Sequence, residues 1–483
     1  MKYSELVEVY EALFNTTKKL EKVDILSKFL HKLKGHEEWI YLLRGRVFPD
    51  YDPREFGMST QLIIKVIAKA SGSEIGHVVS LYNKIGDLGD VADKLLHSRK
   101  QSTLFSRKLD VEFVFTNLKK IVEFEGKGSV EKKINLVVEL LNGASGREAR
   151  YIIRTVLNDL RVGVADALLR DAIVKAYFSD DEEMKVKLEE AFDLNNDFAL
   201  VLHMAEKGKS AFKDVVLVTG RPVKVMLPVK VNDLKEAFRI CGKPAAIEHK
   251  YDGFRVVISK HDKEVKLFTR RLEDVTKQFP DIVKSVLSNV HASSCILDSE
   301  AVGYNEKKKY MPFEAVSQRI KRKYDIDKLI KKLPVEVNVF DIMYYNGKSV
   351  IDMPFMERRK LLERVVIPEK WKIKLSTQFV SDDEKSVEKF YKNALKQGEE
   401  GIMIKKLDAP YKPGRLVGYM VKLKPEVRDL DLVIVGAEYG TGKRAGGLTS
   451  FIVACKNGKE FLEVGKVSSG LKEKAEEGTS YGE

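Results

Sequence analysis

Cysteine is scarce in this chain of 483 residues: three are present, Cys241, Cys295 and Cys455, far apart and odd in number. Neither a disulfide framework nor a paired-cysteine zinc site can be built from them, and a reducing compartment fits. Long apolar runs are missing as well. None approaches the length that spans a bilayer, and the opening MKYSELVEVYEALF scatters charges where a secretory signal needs an unbroken apolar core. The expected location is therefore intracellular and cytoplasmic, with no membrane partner. Long polar tracts and repeats at solenoid or propeller periods are also absent, and hydrophobic residues make up 44% of the chain. Disorder and repeat arrays are both set aside on that basis.

Charge, by contrast, is abundant and unbalanced: Lys and Arg total 85 against 72 Asp and Glu, a formal charge of +13. Such an excess favours a polyanionic partner through phosphate neutralisation and counterion release. Much of it must still be ordinary solvated surface, because 33% of all residues are charged. The length implies roughly two to four domains.

Three textures follow one another along the chain. Tyr3, Leu6, Val7, Tyr10, Leu13 and Phe14 keep the three-and-four spacing of one helical face, with Ser4 a candidate N-cap. Similar patterns over 61–70, 130–142, 147–159 and 181–192 predict an all-helical region. After Arg221, short β-branched runs at 245–249, 254–259 and 265–269, joined by polar turns, predict a mixed α/β domain. After Lys424, runs at 432–437, 451–455 and 460–464 between glycine-rich turns predict a small β module. The expected domains are 1–215, 216–424 and 425–483.

The chemistry concentrates in the second region. Lys250-Tyr251-Asp252-Gly253-Phe254-Arg255 follows directly on the strand-like Ala245–His249. A lysine amine is nucleophilic only when neutral, so a strand-end lysine in a domain core, desolvated or set beside positive charge, meets the need. Gly253 permits a tight turn against a ligand, and Arg255 offers a fork of donors to phosphate or sugar oxygens. A polar hairpin is the alternative for this string in isolation. Further on stand Ile296-Leu297-Asp298-Ser299-Glu300, Val337-Asn338-Val339-Phe340-Asp341, Glu399-Glu400-Gly401-Ile402-Met403-Ile404-Lys405 and Val421-Lys422-Leu423-Lys424.

This ordered set resembles the covalent nucleotidyltransferase superfamily and, within it, the ATP-dependent DNA ligases of archaeal and eukaryotic type. The resemblance implies that Lys250 attacks the α-phosphorus of ATP and that Glu248 reads the adenine amino group. Arg255 and Arg270 would hold ribose and the phosphate of the nick, with Phe340 stacking on adenine, although a strand phenylalanine also serves as core. Glu300 and Glu400 would serve ribose and a divalent metal, magnesium or manganese, with Asp298 assisting. Lys422 and Lys424 alternate with apolar residues, so a regular strand presents one face to the nucleotide; the resemblance implicates both in α-phosphate contact. Met420 stands where family members often carry tryptophan, a departure that bears on packing.

Flanking segments separate a DNA ligase from its relatives, the capping-type guanylyltransferases and RNA ligases. Leu140–Arg150 and Leu160–Val164 resemble the helical DNA-binding domain of the ligases, with Ser145 and Arg147 at a helix start suited to phosphate. A capped helix with solvated arginines is the plainer reading of the same residues. Leu42–Arg46 adds a second match. Arg319, Lys321, Arg322 and Lys323 form a basic cluster that would line DNA or remain wet surface. Gln101-Ser102-Thr103-Leu104-Phe105 resembles the hook, through Gln101, Leu104 and Phe105, by which archaeal ligases dock on a sliding clamp; local packing is the alternative. Lys323-Tyr324-Asp325-Ile326 imitates the nucleophile motif without its glycine and arginine. Gly440-Thr441-Gly442-Lys443 imitates a phosphate loop but lacks its first glycine and its hydroxyl residue. NAD-dependent ligases are disfavoured because three scattered cysteines cannot form their zinc module.

The expected architecture is thus an all-α N-terminal DNA-binding domain, an α/β nucleotidyltransferase domain and a C-terminal OB-like β domain that reads as incomplete. The last offers about three of the five strands an OB fold needs. The resemblance also implies a last basic motif that orients ATP for pyrophosphate departure, and none is found, so the chain is expected to adenylate Lys250 poorly while a preadenylated form still engages a nick. A monomer acting on nicked duplex DNA in the nucleoid is expected; a clamp-associated DNA-binding protein with a vestigial site is the non-enzymatic alternative.

Overall fold

A computed structural model describes residues 1–97, 109–124, 126, 128–213, 215–320, 322, 325–425, 430–440, 448–458 and 460–468. Among the described residues of the first 212 every regular element is a helix, including Tyr3–Phe14, Thr60–Ser71, Ser129–Gly143, Gly146–Val156 and Glu182–Asn195. Their apolar faces meet in one core running from Tyr3 to Phe212. The opening helix starts two residues earlier than an N-cap at Ser4 would place it. Lys2, not Ser4, is the N-cap, and the Glu5 carboxylate accepts the Lys2 backbone N–H at 3.1 Å. Lys2 is also bridged to Asp110, a partner no local pattern reveals.

Strands begin after this region: β1 (Leu227–Val231), β2 (Ala245–Lys250), β3 (Phe254–His261), β4 (Glu264–Thr269), β5 (Ser294–Gly303), β6 (Val335–Tyr345), β7 (Lys348–Ser349), β8 (Ile373–Leu375), β9 (Gln378–Ser381), β10 (Gly401–Lys406) and β11 (Leu416–Leu423). They form two sheets. One runs β1-β11-β10-β2-β9; the other runs β4-β3-β5-β6-β7, with β8 also on β6. Alternation along each strand sends one set of side chains to each face. Ile247, Ile402, Ile404, Val421 and Leu423 turn outward beneath the helices Leu234–Cys241 and Glu384–Lys396. Val256, Ile258, Leu297, Val337 and Val339 turn outward on the second sheet beneath Pro280–Asn289 and Phe355–Val365. Between the sheets lies a third core with Met226, Val257, Phe268, Ile296, Met343, Tyr411 and Met420.

The helical region is tied to this two-sheet body by Arg415 to Glu189 at 2.7 Å, Lys224 to Asp193 at 3.0 Å, and Asn196 Nδ2 donating to the Pro222 carbonyl at 3.0 Å. Beyond it, β12 (Val433–Tyr439), β13 (Leu448–Asn457) and β14 (Glu460–Val467) make an antiparallel three-stranded sheet. Most of its apolar side chains, including Ile434, Val435, Phe461 and Val464, are exposed. No helix among the described residues is long and apolar enough to cross a membrane.

Candidate active site

The core between the two sheets stops short at one end and leaves a cavity of about 1560 Å³, walled by both sheets and by the helical-region segment Arg44–Phe56. Strand register decides which side chains enter it. Glu248 on β2 lies opposite Met403 on β10, Met403 opposite Lys422 on β11, and Lys250 opposite Gly401. Directly opposed residues share a face, so Glu248, Lys250 and Lys422 project together, and Lys424 follows two residues on. Gly401 is required at the join. Its φ is +151°, and a Cβ there would collide with the Leu423 carbonyl, so only glycine lets β10 start against β11 with Glu400 beside Lys250.

Glu400 accepts the Lys250 Nζ on one carboxylate oxygen and the Lys424 Nζ on the other, and its backbone N–H donates to the Lys250 carbonyl at 2.8 Å. Burial holds the Lys250 amine below its ordinary value; Arg255 and Arg270 push the same way, against Glu300 and Asp252. Burial, then the Lys250 charge, likewise depress the amines of Lys422 and Lys424. Two ammonium groups on one carboxylate, with the Lys422 charge nearby, favour loss of a proton from one of them.

The facing wall is arranged differently. Arg255 on β3 lies opposite Glu300 on β5, which lies opposite Asn338 on β6. The Arg255 guanidinium donates to Asp298 at 2.8 and 2.5 Å and to the Met226 carbonyl at 2.8 Å. Tyr411 donates its hydroxyl to the same Asp298 at 2.5 Å, and Asp298 is fully buried. Burial pushes the Glu300 carboxyl up to about 7, against the pull of Lys250 and Arg255. Gly253 lets the turn after Lys250 lie against β5, since a Cβ there would run into the Ala301 backbone and Glu300.

Phe340 sits on a β-bulge. Ser299 opposes Val339 and Asp298 opposes Asp341, so Phe340 has no cross-strand partner on β5 and is re-aimed into the cavity. Lys405 Nζ lies 4.8 Å and Arg255 Cζ 5.4 Å from its ring centroid.

All nine residues expected around the nucleotide and metal, Glu248, Lys250, Arg255, Arg270, Glu300, Phe340, Glu400, Lys422 and Lys424, line this one cavity. The residues expected on DNA divide. Ser145 and Arg147 are exposed at the start of the helix Gly146–Val156, where Ser145 and Glu148 form a capping box, and Arg322 is exposed. Arg319 is a correction. It is fully buried, its guanidinium bound to Asp281 and to the Gln278 and Leu333 carbonyls at 3.0 and 3.1 Å, so it braces the fold and has no face for DNA. Gln101, Leu104 and Phe105 lie outside the described residues, as does most of the turn after Gly440.

Three residues of the site were not singled out from sequence. Lys405 stands in the same motif as Glu400, and its position two after Met403 on an inward face was an available signal. Tyr411, in the connection between β10 and β11, and Gln378 on β9 carried none, because their roles come from segments that meet their partners only in the fold.

Comparison with known proteins gives a consistent picture. A family model described as "ATP dependent DNA ligase domain" matches residues 225–424, and one described as "DNA ligase N terminus" matches residues 2–174. A DNA ligase of Nanoarchaeum equitans is 45% identical over 481 residues, covering 99% of this chain and 84% of that ligase. A DNA ligase of Thermococcus fumicolans is 40% identical over 477 residues, covering 98% and 84%. A solved structure named Pmar-Lig_PreS3 shares the fold, with a TM-score of 0.55 over 96% of this chain and 88% of that one at 16% identity.

Proposed function

Since the chain belongs to the ATP-dependent DNA ligases, we propose that Lys250 carries the adenylate and that the cavity around it is where the nucleotide reacts. The observation behind this is the grouping of Lys250, Glu400, Lys424 and Lys422 on one wall opposite Arg255, Glu300 and Phe340. The neutral Lys250 amine attacks the α-phosphorus of ATP. A nitrogen–phosphorus bond forms, the bond to the pyrophosphate oxygen breaks, and the amine proton passes to the Glu400 carboxylate that touches it. A 5′-phosphate oxygen at the nick then displaces Lys250 from the adenylate, and the amine takes a proton back. Finally the 3′-hydroxyl attacks the 5′-phosphorus, AMP leaves, and the hydroxyl proton goes to solvent. Lys422 and Lys424 offset phosphate charge throughout.

The donor set suits a hard divalent cation. Glu300 and Glu400 are two carboxylates on opposite walls, and such an ion takes its remaining ligands from phosphate and water. Bound there, magnesium or manganese would withdraw charge from the phosphates.

For the rest of the molecule we assign 1–215 to a DNA-binding domain, 216–424 to the nucleotidyltransferase domain and 425–483 to part of an OB-like domain. Ser145, Arg147 and Arg322 contact the backbone of the duplex; their exposure and the helix start support this. The protein works as an intracellular, nucleoid-associated monomer, and Gln101, Leu104 and Phe105 dock it on a ring-shaped clamp.

The deciding experiment uses ATP or GTP labelled at the α-phosphorus, with magnesium, followed by a chase with nicked duplex. Label should enter from ATP, map to Lys250 and move to DNA. Label entering from GTP alone, or remaining on protein through the chase, would overturn the assignment.

A further inference from the structure

The base end of the cavity holds a polar arrangement that reaches beyond the motifs, to Gln378 and Arg359. Glu248 on β2 lies directly opposite Gln378 on the neighbouring strand β9, so both side chains leave the sheet on the cavity side. Gln378 Nε2 donates to Glu248 Oε1 at 2.7 Å, and Lys405 Nζ donates to Oε2 at 2.7 Å. Arg359 Nη1 stands 4.0 Å from Oε1, is buried, and has no hydrogen-bond partner among the described residues. Glu248 itself is 1% exposed.

These contacts remove the freedom of a side chain with three rotatable bonds. A carboxylate offers about four acceptor positions. Two are taken by Gln378 and Lys405, one on each oxygen, which fixes the plane of the group and the direction of those that remain. The neutral amide matters here. A second cation in its place would draw the carboxylate away from the cavity, whereas an apolar residue would let it swing toward Arg359.

We propose that Gln378 is a positioning residue for base choice. Without touching the nucleotide, and together with Lys405, it fixes Glu248 so that an acceptor faces the exocyclic amine of adenine. A base bearing a carbonyl at that place, hypoxanthine or guanine, then meets acceptor against acceptor and loses a hydrogen bond the site was built to make. The inference rests on the reading above, in which adenine lies over Phe340 beside Glu248.

A plainer role for Gln378 is to pin the edge strand β9 to β2, and the test must separate the two. Full-length wild type, Gln378→Leu, Gln378→Asn and Lys405→Met are compared in initial rates of Lys250 labelling from α-labelled ATP and ITP across nucleotide concentration, with melting temperature measured alongside. For Gln378→Leu, KM for ATP should rise about tenfold with kcat nearly unchanged, and the preference for ATP over ITP should shrink by about tenfold or more. Gln378→Asn, which keeps an amide, should recover part of that preference. Should Gln378→Leu fail to fold, Lys405→Met interrogates the other half of the same clamp and should shrink the preference likewise. An unchanged ATP-to-ITP ratio in the folded variants, or a loss confined to melting temperature, would overturn the proposal. Wild type that takes no label from either nucleotide would sink the assignment of Lys250, and this inference with it.

Discussion

The two walls of the cavity solve opposite problems. On the lysine wall, Lys250 and Lys424 share one partly exposed carboxylate, Glu400, with Lys422 nearby, and all three amines are depressed by burial. On the facing wall, burial works against the Arg255 charge, but Asp298 more than offsets it and the guanidinium is held above its ordinary value. The Arg255 guanidinium on that side has fixed acceptors in Asp298 and the Met226 carbonyl, with Tyr411 bonded to Asp298 behind them. The group that must gain and lose a bond shares one carboxylate with a second amine, while the guanidinium that only holds a substrate has a carboxylate of its own. The comparison teaches that reactivity and rigidity are assigned here to different sheets, so substitutions on the two walls should fail in different ways.

Lys250→Arg tests the reactive wall most severely. The positive charge persists and Glu400 keeps a partner, but a guanidinium does not give up its proton in proteins. Labelling from α-labelled ATP should fall to background, with melting temperature unchanged; retained label at position 250 would dissolve the contrast. On the other wall Asp298→Ala strands the Arg255 guanidinium and the Tyr411 hydroxyl in a buried site. Breaking one side of a buried pair costs about 3–5 kcal/mol, so denaturant unfolding should show a large loss of stability. The matching change on the lysine wall, Glu400→Ala, should cost about 1 kcal/mol or less, since its contacts are partly solvated. Equal stability losses in the two variants would show that the walls are built alike.

The pH dependence sharpens the same point. Attack needs the neutral amine, and the folded state lowers the Lys250 value, so the labelling rate should climb with pH and level off below the 10.5 of ordinary lysine. Arg270 is one of the charges that lowers it. Arg270→Gln should therefore move the limb to higher pH and slow labelling near neutrality by about tenfold, the size expected when a charge at a partly solvated site is removed. A uniform slowing with no shift of the limb would mean that Arg270 acts through binding alone.

Much of this was readable before any coordinates. The short runs at 245–249 and 254–259 correspond to β2 and β3, and each motif residue named for the nucleotide lines one cavity. The residue roles came from the resemblance of the ordered motifs, and strict alternation along a strand accounts for why Glu248 and Lys250, two apart, share a face. What escaped depended on partners distant in sequence. Arg319 sits in a basic run that looks like wet surface, yet Asp281, 38 residues away, neutralises it in the core. Ser4 has the right chemistry for an N-cap, but the start of its helix is set by Lys2 bridging to Asp110. Gln378 and Tyr411 acquire their roles only when β9 meets β2 and the chain before β11 folds back on Asp298.

Phe340 offers the mildest test and the one closest to the boundary between holding and packing. A phenylalanine on a strand is ordinarily core, and its neighbours Val339 and Asp341 are buried. The bulge changes its circumstances, because it leaves the ring without a partner on β5 and half-buried at the cavity. A ring lost from a stacking position costs about 0.5–1.5 kcal/mol beyond simple apolar contact. Phe340→Leu keeps the apolar contact and removes the ring face. KM for ATP in Lys250 labelling should then rise about two- to tenfold, the equivalent of that energy, with melting temperature nearly constant. A core residue would respond the other way round, losing stability with KM unmoved, and in that case the facing wall would hold the nucleotide through Arg255 and Glu300 without an aromatic platform.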